Sequence, residues 1–283
     1  DGPNNRNSCT AGCCFLWSGL TPLLAKPEPK PGFLTPQEEE WLARHPVIRL
    51  APDPYYPPIE FFDEQGRYSG VAADYIAIME KRLGVKFEIV RCKTFEELMR
   101  KARSREVDVV GSAVVTAERR KYFDFSQPYV DSPVCIITQA KNRASLDLDK
   151  LRGKKVVVVS EYAWGTYMQK NYPDIKLIMV PDAATGLQIV TFGNAYAMVN
   201  DMATSSYYIE KEGISNLKVA GQIDYNSQLC FAIRNDWPQL TGIINKTLAA
   251  ISAEEKYDIT SKWISLKRLN NYDRYLKYGA LVA

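Results

Sequence analysis

Phe123-Asp124-Phe125-Ser126-Gln127-Pro128-Tyr129-Val130 runs into Val134-Cys135-Ile136-Ile137-Thr138. The stretch reads as one extended segment, and it joins two halves of similar pattern. Upstream, Val47-Ile48-Arg49-Leu50-Ala51 is a short strand that stops at Pro52. Asp53-Pro54-Tyr55-Tyr56-Pro57-Pro58 is expected to form neither helix nor ladder, because proline lacks the N–H and fixes φ. Ile59-Glu60-Phe61-Phe62 reads as a strand and Asp63-Glu64-Gln65-Gly66 as its turn. A helix from about Ala73 carries Tyr75, Ile76, Met79 and Leu83 at helical spacing and stops at Gly84. A strand at Phe87, a helix capped by Thr94 and a strand at Val107-Asp108-Val109-Val110 follow.

Downstream the alternation repeats. Lys154-Lys155-Val156-Val157-Val158-Val159 has the unbroken apolar run of a strand covered on both faces. A helix from Ala163, a strand at Lys176-Leu177-Ile178-Met179-Val180, a helix near Ala184, a strand at Tyr196 and a helix through Tyr207 and Tyr208 complete a second α/β lobe. Leu229-Cys230-Phe231-Ala232-Ile233 and the helices around Leu240 and before Trp263 have no lobe of their own, so they are expected to return to the first. A discontinuous first lobe crossed twice is a hinge architecture, with the ligand between the lobes at the carboxyl ends of the strands. The expected divisions are 40–131 plus 226–269 for lobe one and 132–225 for lobe two.

Composition narrows the function classes. The chain has 283 residues, 46% of them hydrophobic and 24% charged, which suits a folded two-domain protein and excludes disorder throughout. Lys+Arg of 36 against Asp+Glu of 33 is too balanced for nucleic-acid binding. The single histidine, His45, argues against a His-based metal site or a catalytic triad, and no cofactor or metal is expected. Cys92, Cys135 and Cys230 sit in apolar contexts and read as buried thiols without zinc spacing.

The ends differ from the body. Residues 1–39 read as a leader and linker, either export-signal-like or disordered, with Cys9, Cys13 and Cys14 before a Pro-rich segment. Residues 270–283 read as a juxtamembrane-like tail, whose final Gly279-Ala280-Leu281-Val282-Ala283 could open a membrane span or be unstructured.

The order of these segments resembles the periplasmic solute-binding proteins of the polar amino-acid class, family 3, the Venus flytrap modules. Four segments across about residues 40–268 carry the resemblance: Asp53-x-x-Tyr56-Pro57-Pro58; residues 66–74; Thr116-Ala117-Glu118-Arg119 with Phe123-Asp124-Phe125-Ser126-x-Pro128-Tyr129; and Leu151-x-Gly153-Lys154. It implies an α/β, two-lobed periplasmic-binding-protein (type II) fold, with mixed, mostly parallel sheets joined by a two-stranded hinge. Gly70-Val71-Ala72-Ala73-Asp74-Tyr75 and Arg234-Asn235-Asp236-Trp237-Pro238 are more like the ectodomains of membrane histidine kinases or diguanylate cyclases than like free transport receptors. A periplasmic location, an inner-membrane anchor through a C-terminal span and a small-molecule ligand follow from that likeness. A homodimer is left open, since no self-complementary face can be read.

An amino-acid ligand needs a cation for its carboxylate and an acid for its ammonium. The resemblance places these at Arg119, after a strand and a capping Thr116, and at Asp201, after the strand at Tyr196. The bland alternatives are a solvated arginine and a helix N-cap. Tyr56 is expected to wall in the ligand, and Asp53 either reads a side chain or braces its loop. Tyr162, Ala163 and Trp164 open a helix whose N–H groups suit a carboxylate, and Ser112 offers a further hydrogen bond. Three residues depart from the family pattern: Val114 for a hydroxyl residue, Ala72 for an acid, and Glu161 for glycine, where an inward carboxylate would oppose an anion. The leading expectation is a non-catalytic ligand-sensing domain. The alternatives are a receptor for an ABC amino-acid transporter and a cyclohexadienyl-dehydratase-like enzyme.

Overall fold

The computed structural model describes residues 32–225 and 227–264. The leader through residue 31 and the tail from 270 lie outside the described residues. Helix α1 (Pro36–Arg44) begins four residues inside the segment assigned to the leader. Its start is written locally: Thr35 accepts from the Glu38 N–H, Glu38 reaches back to Thr35, and proline occupies the first turn.

The chain continues through β1 (Val47–Ala51), β2 (Tyr55–Tyr56), β3 (Glu60–Phe62), β4 (Tyr68–Ser69), α2 (Val71–Leu83), β5 (Lys86–Ile89), α3 (Phe95–Arg103) and β6 (Val109–Val114). Then come β7 (Phe123–Phe125), β8 (Val130–Asp131), β9 (Val134–Gln139), β10 (Lys155–Val159), α4 (Ala163–Asn171), β11 (Lys176–Val180) and α5 (Ala183–Thr191). The described part closes with β12 (Ala197–Asp201), α6 (Met202–Lys211), β13 (Leu217–Gln222), β14 (Gln228–Arg234), α7 (Pro238–Ala250) and α8 (Ala253–Trp263).

Two mixed sheets result. One has the order β5-β1-β6-β14-β7, with β8 also on β14; β5, β1 and β6 are parallel and β14 is antiparallel to β6. The other has the order β11-β10-β12-β9-β13, its first three strands parallel and β9 antiparallel to β12. Helices on both faces explain why Val156, Val157 and Val158 are wholly buried. The chain passes between the sheets twice, between β8 and β9 and between β13 and β14. There the Ser227 hydroxyl donates to the Ser132 carbonyl and the Ile223 N–H to the Val134 carbonyl (3.0 Å). This pair of crossings is the two-stranded hinge of a Venus flytrap.

Two local expectations change. Tyr55 and Tyr56, between the prolines, do form a ladder, pairing with Phe61 and Glu60. They carry the backbone N–H groups that proline lacks, and the pairing is only two residues long. Helix α2 begins at Val71, two residues early, because the Val71 and Ala72 N–H groups donate to the Pro58 and Ile59 carbonyls.

Gly111, in the middle of β6, fits because nothing larger does. A Cβ there would lie 2.0 Å from the Glu60 Oε2 atom. Gly111→Ala is therefore expected to destabilise the fold by about 1–3 kcal/mol, the usual cost of overpacking, measured by urea unfolding.

Candidate functional site

The proline-rigid loop after β1 holds Asp53 almost out of solvent, 3% exposed. Its Oδ1 accepts from the Tyr55 N–H (2.9 Å), and its own N–H donates to Glu60 Oε1 (3.0 Å). Its Oδ2 accepts from the Tyr162 hydroxyl of the second lobe at 2.7 Å. Asp53 thus braces its loop and also ties the lobes together. Burial raises its carboxyl to about 6. Glu60 behind it is fully buried, accepts from the Tyr68 hydroxyl (3.1 Å), and is pushed by burial to about 8.

Arg119 starts a short 3-10 turn, where the Thr116 hydroxyl accepts its N–H (3.1 Å). The side chain is not solvated but buried, 6% exposed, while Arg120 beside it is exposed. Its Nη1 donates to the Val114 carbonyl (2.9 Å) and its Nη2 to the Glu161 carbonyl across the cleft (2.7 Å). Its guanidinium also lies 5.5 Å from the centre of the Phe95 ring. Burial lowers its pKa to about 10, so it keeps its charge at neutral pH. Among the described residues no carboxylate pairs with it.

Glu161 has φ +64°, the left-handed region that glycine adopts without strain. This geometry aims its carbonyl at Arg119. Its carboxylate does not face the cavity but pairs with Arg103 Nη2 of the first lobe (2.7 Å). The expected conflict with an anionic ligand is thereby removed. Tyr162 then stands edge-on to Tyr56 (5.6 Å), Phe95 (5.2 Å) and Trp164 (4.9 Å). Trp164 is anchored through its ring N–H to the Val199 carbonyl (3.1 Å). Tyr56 faces Ser132 at the hinge, 3.4 Å between hydroxyls. Ser112 is committed to the Tyr129 hydroxyl at 2.5 Å, which itself donates to the Gly111 carbonyl (2.9 Å).

Asp53, Tyr56, Ser112, Arg119, Tyr162, Ala163 and Trp164 all line one interlobe cavity of about 20 Å³. That volume holds a water molecule. A larger ligand requires the lobes to part. Asp201 is not on the wall. It is fully buried and caps α6, its Oδ1 accepting from the Thr204 N–H (2.8 Å). Among the described residues its buried Oδ2 has no hydrogen-bond partner, and burial raises the carboxyl to about 6. Sequence reasoning missed Phe95, Leu229, Glu60 and Arg103. The first two read as ordinary core residues. The only signal for Glu60 was an acid in an otherwise apolar strand. His45 is remote, stacked on Trp41 (4.0 Å) against Trp237.

Comparison with known proteins gives a consistent picture. Residues 48–266 match the family of bacterial extracellular solute-binding proteins, family 3. The virulence sensor protein BvgS of Bordetella pertussis is 31% identical over 228 residues, covering 80% of this chain and 18% of BvgS. The crystal structure of the BvgS periplasmic VFT2 domain superposes with a TM-score of 0.72 at 30% identity, covering 81% of this chain and 98% of that one. An ancestral arginine-binding protein bound to arginine superposes with the same TM-score, 0.72, at 27% identity, covering 78% and 99%.

The raised carboxyl of Asp53 has a stability consequence. Folding favours its protonated form, so its contribution is complete below about pH 4 and is lost as pH rises through about 6. Relative to Asp53→Asn, the parent protein should lose up to roughly 3 kcal/mol of stability between pH 4 and 7. Denaturant titrations of both proteins at several pH values measure it; parallel pH profiles would remove the assignment.

Proposed function

Because the chain belongs to the bacterial extracellular solute-binding proteins, family 3, we propose that it binds a small polar ligand, an amino acid by preference, between its lobes and acts as the extracytoplasmic sensing domain of a transmembrane signalling protein. The observation that carries the ligand reading is Arg119. A buried cation without a carboxylate partner is costly to keep, and two carbonyls compensate it only in part. When the lobes part, the Glu161 carbonyl leaves and Nη2 is free for a ligand carboxylate, which can bind bidentately. The unpartnered Oδ2 of Asp201 is the acid suited to an ammonium group. The arginine bound by the ancestral relative has both of these groups.

The sensing reading rests on where lobe movement is felt. Tyr207 of α6, in lobe two, lies 6.0 Å ring to ring from Phe61 of β3, and Phe61 lies 5.8 Å from Trp263 at the end of α8. The Trp263 ring N–H donates to Asp74 on α2 (2.7 Å). Lobe separation removes the Tyr207 contact and changes the packing under the last described helix. Among the described residues no helix is long and apolar enough to cross a membrane. In this reading the domain performs no chemistry: the Asp53 carboxylate is committed to Tyr55 and Tyr162.

A thermal-shift screen with amino acids, organic acids and amines tests the proposal. A ligand that binds the folded state stabilises it by about 2.7 kcal/mol at a hundredfold excess over its Kd. The shift should appear with an amino acid and vanish in Arg119→Ala and Asp201→Asn. An acid or amine alone giving the full shift, with one variant unaffected, would mean that one anchor is misassigned.

A further inference from the structure

The cleft lies at the carboxyl ends of β10 and β12: Tyr162 comes shortly after β10, and Asp201 is the last residue of β12. The opposite ends of the same strands carry a separate cavity. Its volume is about 450 Å³, and its wall includes Lys141, Lys154, Lys155, Asn142, Asn194 and Tyr196. Among the described residues no aspartate or glutamate lines it. It is about 13 Å from the cleft along β10, at about 3.3 Å per residue.

The charges here are arranged against their own interest. Lys155 and Lys176 are direct neighbours on adjacent parallel strands, where like charges destabilise a sheet. Lys154 adjoins both, its ammonium 5.3 Å from the centre of the Tyr196 ring. Among the described residues Lys141, Lys154, Lys155 and Lys176 form no ion pair. Asp149 and Asp174, on neighbouring turns, are taken by Arg152. Tyr196 adds a directional group. Its hydroxyl oxygen accepts from Asn142 Nδ2 (3.0 Å), which leaves its own proton to be donated elsewhere. Phe192, beside the lining residue Gly193, is 76% exposed and gives the rim an apolar edge.

Three ammonium groups, a spare hydroxyl proton and no acid define a host for a multivalent oxyanion. A single carboxylate would leave two of the lysines uncompensated, whereas a phosphate group offers more charge and several acceptor oxygens. We propose that this pole of the second lobe is a ligand site distinct from the interlobe cleft, binding a phosphate-type anion through Lys141, Lys154 and Lys155 with Tyr196 as hydrogen-bond donor. Such a group can come from a soluble polyanion or from a lipid headgroup.

The test uses inorganic pyrophosphate, followed by titration calorimetry at low salt, and co-sedimentation with phosphatidylglycerol vesicles against phosphatidylcholine vesicles. The Lys154→Gln/Lys155→Gln double variant, shown to be folded by a Tm no lower than that of the parent, should bind pyrophosphate at least tenfold more weakly. Arg119→Ala should bind it as the parent does, which separates this site from the cleft. Pyrophosphate binding lost in the double variant identifies a soluble anion. Sedimentation with anionic vesicles alone, lost in the same variant, identifies a headgroup. Absence of both kinds of binding, or binding indifferent to the double variant, overturns the proposal.

Discussion

Two short chain crossings, lying side by side, constrain everything else in this molecule. Because β14 lies between β6 and β7 yet follows the whole second sheet in the chain, lobe one is discontinuous in sequence while lobe two is a single segment. The crossings are bonded to each other, the Ser227 hydroxyl to the Ser132 carbonyl and the Ile223 N–H to the Val134 carbonyl. The two lobes meet across one cleft beside these crossings, through Arg119, Arg103 and Asp53 on one side and Glu161 and Tyr162 on the other.

The contacts that close the cleft come mainly from two adjacent residues. Glu161 offers its carbonyl to Arg119 and its carboxylate to Arg103, and Tyr162 offers its hydroxyl to Asp53. The left-handed backbone of Glu161 makes this double engagement possible, since it turns carbonyl and side chain toward different parts of lobe one. Arg119 is bound to both lobes: its Val114 bond stays within lobe one, and its Glu161 bond crosses the cleft.

Much of this was legible in the residues. The valine run of β10, the Thr94 cap, the Gly84 stop and the returning strand at Leu229 each carry a local signal, and they led to the right architecture. What misled was also local. Tyr55 and Tyr56 looked unable to pair because of the prolines around them, yet their own N–H groups were intact. Glu161 looked like an inward charge because its partner, Arg103, lies 58 residues away.

The sequence by itself determined the alternation of elements, the discontinuous first lobe and the set of polar groups able to reach the cleft, because periodicity, caps and prolines act over a few residues. Only the tertiary structure decided how those groups are used. It made Asp53 a tie between lobes, committed Ser112 to Tyr129, turned Asp201 into a helix cap with one free oxygen, and buried Glu60 against Gly111. Each of these outcomes depends on burial and on partners distant in sequence, and no local pattern encodes the free energy of removing a charge from water.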